Sequence, residues 1–179
     1  MCVPPYYLRL WHCTDIICLT SITRTCVVTN IIVELLIITY RLAVEEWIDS
    51  KYPVHVMRDH VNHCIVMNGG MWGGTKGAIK SMKEKIAAWT AKDEYMADLH
   101  FLEEMVWPEV RNSQVAHDSY CCDRFPNARP FNTKRPITYQ HVGQVFDEHD
   151  NPRLMDIDSF IRGVPTPGSC RKHADWIYG

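Results

Sequence analysis

A seam near residue 41 limits this fold more than any single motif. Residues 1–40 hold four of the forty charged residues, four of the eight cysteines, and no lysine or glycine. Of those 40 residues 25 are apolar, against 57 of the following 139, so two kinds of sequence are joined end to end. The second part has the composition of a folded, charged-surface chain. At 179 residues the chain is long enough to build a core without relying on disulfides. Its net charge of -2 gives no reason to expect nucleic acid as a partner.

The segment Cys26–Tyr40 reads CVVTNIIVELLIITY. Its Val, Ile and Thr residues suit a pair of buried strands. A membrane-spanning helix needs about 20 apolar residues, and reaching that length brings in Arg24 while Glu34 lies inside. Membrane association through residues 16–40 therefore stays as the alternative to strands. No secretory signal pattern is present. None of the cysteines is spaced C-x-x-C, which excludes zinc-ribbon and thioredoxin-type motifs; their even number permits a disulfide framework, but they read first as small buried hydrophobes.

From residue 41 onward helices and strands alternate, which predicts an α/β domain. Residues 41–50 read as a helix with Val44, Trp47 and Ile48 on its apolar side, ended by Lys51-Tyr52-Pro53. Val54–Met57 reads as a strand, and Arg58–Gly77 as a loop holding five glycines. A helix carrying Ile79, Met82, Ile86 and Trp89 follows, with Thr75 as N-cap. The next, from about Asp93 to Trp107, has Tyr95, Leu99, Leu102 and Val106 on one stripe and ends at Pro108. Gln114–His117 and Val142–Phe146 are short strands, and the proline-containing tail from Asp147 is irregular.

Three segments could carry chemistry. The loop Asn68–Gly77 lets backbone approach a ligand at Gly69 and Gly70, with Trp72 offering a flat indole to a sugar or base. Its Gly74-Thr75-Lys76 reverses the order a phosphate-binding G-K-S/T loop requires. The run His55–His63 places Arg58, Asp59, His60 and His63 beyond a strand, where α/β proteins bind ligands. Arg58 and Asp59 there suit a diphosphate or sugar hydroxyl, while Asp59, His60 and His63 suit a metal. His117-Asp118-Ser119 is contiguous and so cannot form a catalytic triad.

Taken in order, A-V-E-E-W-I-D-S (43–50), H-V-M-R-D-H-V-N-H (55–63), G-G-M-W-G (69–73), F-L-E-E-M-V-W-P (101–108), H-D-S-Y (117–120), F-P-N-A-R-P-F (125–131) and V-G-Q-V-F-D-E-H-D (142–150) resemble a family of glycosyltransferase-like proteins with a GT-A nucleotide-sugar-binding fold. The resemblance spans residues 41–153, leaving 1–40 as a divergent hydrophobic segment and 154–179 as a tail. It implies an incomplete Rossmann-like sheet with flanking helices, and a nucleotide-sugar donor with a carbohydrate or other acceptor. It also implies Mn²⁺ or Mg²⁺, which would neutralise the leaving diphosphate.

The family's metal-binding Arg-Asp-x-Asp-Ser-Arg segment corresponds here to Ile37-Ile38-Thr39-Tyr40-Arg41-Leu42-Ala43, which has no carboxylate. Its Asp-Gln-Asp segment is Asp98-Leu99-His100. The resemblance thus assigns Asp98 an acid or base role toward the acceptor and His117 a metal-ligand role, with Arg58, Asp59, His60, Gly69, Gly70 and Trp72 on the substrate. Without both metal carboxylates the expected transferase activity is weak or absent. The alternatives are a non-catalytic carbohydrate- or nucleotide-binding remnant, and a metal-dependent hydrolase using Asp59, His60, His63 and His117.

Overall fold

The computed structural model describes residues 16–18, 32–90, 95–136, 138–149, 151–161 and 163–177. In chain order the elements are β1 (Ile16–Cys18), α1 (Ile32–Asp49), β2 (Val54–Arg58), β3 (Trp72–Thr75), α2 (Met82–Ala88), α3 (Ala97–Phe101), α4 (Trp107–Val110), β4 (Gln114–Asp118), β5 (Ala128–Arg129) and α5 (Leu154–Ile161). The strands form one open mixed sheet in the order β1-β3-β2-β4-β5. β3 pairs antiparallel with β1 and β2, whereas β2, β4 and β5 run parallel. The fold is α/β, an incomplete Rossmann-like sheet with flanking helices.

β2 and β4 are buried at every position because helices or loops cover both faces. Side chains alternate across a strand, so one face carries Val54, Val56 and Ala116. These pack with Met67, Trp72, Leu102, Val106 and Val110 into the larger core. The other face carries Met57, which joins Ala43, Phe131 and Val142 in a second cluster beneath α1.

The strand expectation for the segment before residue 41 is corrected over its described part. Residues 32–40 are the first half of α1, continuous with the helix expected from residue 41. Residues 26–31 lie outside the described residues. No helix among the described residues is long and apolar enough to cross a membrane. The inward stripe of α1 is Thr39, Ala43 and Trp47, spaced i, i+4, i+8, while Ile48 is 51% exposed. This stripe differs from the expected Val44-Trp47-Ile48 side, and it rotates Glu46 toward the sheet. Trp47 fixes the helix end by donating from Nε1 to the Tyr52 carbonyl at 2.8 Å.

Other boundaries moved for local reasons. Trp72–Gly74 lie within β3, so the glycine-rich stretch is partly strand and not wholly loop. Gly77 turns the chain at φ 81°, which delays α2 to Met82, and the residue before it is Ser81, not Thr75. The second helix runs past Pro108 to Val110, because a π-helical stretch over Leu102–Val106 precedes it. Trp107 N–H reaches back to the Leu102 carbonyl there, and Pro108 then sits in a first turn, where its missing N–H costs little. Tyr95 is 90% exposed and lies off that helix's inward stripe. Residues 142–146 form no strand: Gly143 turns at φ 89°, and pairing is limited to an isolated bridge between Phe146 and Pro152. The tail expected to be irregular includes α5.

Four cysteines form two disulfides, Cys64–Cys121 and Cys122–Cys170, so for these four the disulfide alternative replaces the reading as small buried hydrophobes. They close sequence separations of 57 and 48 residues. The adjacent Cys121 and Cys122 thus tie the end of β4 both to the loop after β2 and to the tail.

Candidate functional site

Parallel register sets Arg58 beside Asp118 at the carboxyl ends of β2 and β4. Arg58 is fully buried. It donates from Nε to the Ile65 carbonyl at 2.6 Å and from a terminal nitrogen to the Val66 carbonyl at 2.5 Å, and it meets Asp118 Oδ2 at 3.2 Å. The Phe125 ring lies 4.0 Å from its guanidinium carbon. Asp118 also accepts from the Tyr120 and Cys121 N–H groups through Oδ1. Burial raises the Asp118 carboxyl above its ordinary range, and those N–H donors and Arg58 oppose it. Burial likewise lowers the Arg58 guanidinium from its usual value.

Asp59 is held in the same way. It accepts from Ser119 Oγ at 2.5 Å, from Arg135 at 2.6 Å and from the Val142 N–H at 2.9 Å. His60 is 3% exposed, and its Nδ1 accepts the Asn62 N–H at 3.0 Å, capping the short 3₁₀ turn Val61–His63. Of the residues expected to contact substrate, Arg58 and His60 are turned to internal partners, while Asp59 is held by Ser119, Arg135 and the Val142 N–H and also lines the cleft described below. Parallel pairing brings Asp118 and Ser119 to Arg58 and Asp59, which sequence order could not reveal.

Five histidines fall into two groups. His60, His63 and His141 lie with ring centroids 4.8–5.8 Å apart. Burial drives His63 down to about 4 and His141 to about 3, so these imidazoles are neutral near pH 7. His117 lies elsewhere, on the sheet face under α1. Its Nδ1 is 2.8 Å from His55 Nε2, and its Nε2 is 3.3 Å from Glu46 Oε2. That second contact has ion-pair distance without hydrogen-bond geometry. The set Asp59, His60, His63 and His117 does not gather around one point.

Glu46 anchors the His117 group. Burial opposes its ionisation, but Arg129, His117 and Asn132 outweigh burial and hold it at about 2. Arg129 meets Oε1 at 2.6 Å, Asn132 donates to Oε2, and Lys172 donates to Asn132 Oδ1. His55, stacked 5.3 Å from Trp47, is pushed well below its usual value by burial and then by His117 and Arg129. The sequence places His55 in the candidate run His55–His63 without a role of its own, and gives none to Glu46, Arg129, Asn132 or Lys172. The usable signal was a histidine placed two residues before Met57 in a strand buried on both faces.

The implied Mn²⁺ or Mg²⁺ finds no matching ligand set among the described residues. Hard cations take oxygen ligands. Residues 37–43 lie in the middle of α1, and His117 is enclosed by His55 and Glu46. The group of potential ligands that does converge is Asp118, Cys122 and Cys170, and both of those cysteines are in a disulfide.

Gly69 and Asp98, by contrast, are together and exposed. A Cβ on Gly69 would meet Asp98 Oδ2, so a larger residue there would push the Asp98 carboxylate aside. Gly70 follows with φ 73°. Trp72 is 9% exposed within the larger core and presents no free indole face, which corrects its expected ligand role.

A cleft opens beyond the carboxyl ends of β2, β4 and β5, the usual ligand position of α/β sheets. It encloses about 390 Å³, part of it open solvent. Asp59 and Ser119 form its floor, Thr39 and Thr133 one wall, and Arg171, Lys172 and Trp176 of the tail its rim. Comparison with protein-family models, curated proteins and solved structures finds no match for this chain.

Proposed function

We propose that this chain is a glycosyltransferase-like domain of nucleotide-sugar ancestry whose transferase activity is weak or absent. The observation that carries the reading is the state of residues 37–43. Where the resemblance calls for metal-binding carboxylates there is one continuous helix, with Thr39 and Ala43 turned inward. Supporting it, the histidine that would complete a metal shell is packed between His55 and Glu46. An uncompensated diphosphate leaving group forfeits much of the electrostatic stabilisation that drives sugar transfer.

The test is to incubate the full chain with Mn²⁺ and a panel of nucleotide sugars and to follow nucleoside diphosphate release. Release should not exceed the protein-free control. Mn²⁺-dependent turnover of about 1 s⁻¹, in the range of working enzymes, overturns the proposal. The binding remnant is the second reading, supported by the exposed Asp98–Gly69 approach, which leaves a carboxylate beside accessible backbone. Such a lip suits sugar hydroxyls.

A further inference from the structure

We infer that the cleft beyond β2 and β4 binds the phosphate group of an anionic ligand through Arg171, Lys172 and Gln140, without a metal. Arg171 and Lys172 line the cleft, and neither has a carboxylate partner among the described residues. Arg171 is oriented by the Thr166 carbonyl, 2.7 Å from Nε, and Lys172 by Asn132. The acid on the floor does not compete for them, because Asp59 is already neutralised by Arg135 at 2.6 Å.

A second observation concerns Gln140. Its Oε1 is buried and has no hydrogen-bond partner, although the side chain lines the cleft. An amide so placed needs only a half-turn of its terminal group to offer N–H to an incoming oxygen. Two cations and an amide donor match the acceptor oxygens of a phosphate. Trp176 also lines the cleft and offers an indole to the organic part of a ligand. Arg171, Lys172 and Trp176 lie outside the segment of family resemblance. Identifying the organic part as a nucleoside rests on the proposed function, whereas the phosphate site does not.

The experiment is calorimetric titration of the full chain in EDTA with inorganic phosphate, a nucleoside diphosphate and the parent nucleoside. Both phosphate compounds should bind and the nucleoside should not. Tighter binding of the diphosphate identifies an organic phosphate as the natural source, and the reverse order identifies free phosphate. The double variant Arg171→Ala/Lys172→Ala should lose about tenfold or more in affinity while keeping the wild-type melting temperature. Lys172→Arg should retain binding. Failure of both phosphates to bind, binding only with added Mn²⁺, or undiminished binding by the double variant overturns the inference. The nucleotide-sugar release assay is read separately, so either result can fail without the other.

Discussion

The two faces of the same parallel strand pair handle buried polar groups in opposite ways. On the face under α3 and α4, Arg58 and Asp118 form a closed pair with both side chains fully buried, completed by backbone carbonyls and N–H groups. On the face under α1, His55 and His117 lead to Glu46, then through Asn132 to exposed Lys172 at the cleft. The first network terminates inside the protein, and the second reaches solvent. A charge enclosed with its partner fixes the fold, while a cation at an open rim is available to a ligand.

The contrast breaks most visibly at Arg58. Arg58→Met leaves Asp118 buried without its cation and should lower unfolding free energy by roughly 3–5 kcal/mol, measured by urea denaturation. Adding Asp118→Leu to that variant should recover part of the loss, because the uncompensated charge is gone. Recovery of nothing would mean that the carbonyl contacts of Arg58, not its ion pair, hold this face.

Next in size is the disulfide that ties the strand ends together. Cys64→Ser opens a loop of 57-residue separation and should cost about 4 kcal/mol, read as a lower melting temperature. A dithiol reductant opens both disulfides and should produce a larger fall in the unmodified chain.

Acid should then act through His63 and His141. Their folded values, about 4 and about 3, lie below the ordinary histidine value, so the unfolded chain binds protons first as pH falls. Stability contributed by keeping them neutral is present above about pH 6.5 and declines toward pH 4. Each should contribute a loss of about 2 kcal/mol over two pH units. His141→Gln should flatten the pH dependence of the melting temperature, and an unchanged slope would assign the acid sensitivity to other groups.

The smallest effects belong to the exposed groups. Asp98→Asn and Lys172→Ala should each change stability by less than about 0.5 kcal/mol in thermal melts. A larger loss from Lys172→Ala would place it with the enclosed network and weaken the distinction between the faces.

Some of this was legible in the residues. Val54–Met57 and Gln114–His117 read as strands because short β-rich runs ended at turn signals, and both lie within observed strands. The helix of residues 41–50 was also legible, but its inward side was not, since the stripe depends on where the sheet lies. The last helix was hidden by prolines on either side of it. At the site, the sequence picked out residues around the strand ends, and Asp59 does line the cleft, but the internal partners of Arg58, Asp59 and His60 were not legible. Asp59 and His60 looked like ligand contacts because nothing local reveals that Ser119, Arg135 and the Val142 N–H converge on Asp59.

By itself, the sequence determined the alternating elements, the seam near residue 41 and the absence of carboxylates from residues 37–43. Each follows from local composition or identity, which folding does not alter. The tertiary structure decided which polar groups face inward, which cysteines pair and where two cations of the tail, without a carboxylate partner among the described residues, come to rest. Those outcomes depend on contacts between residues tens of positions apart, such as Cys122 with Cys170 and Arg58 with Asp118. Burial then sets the consequence: it fixes Arg58 as part of the fold and leaves Arg171 and Lys172 at the cleft rim.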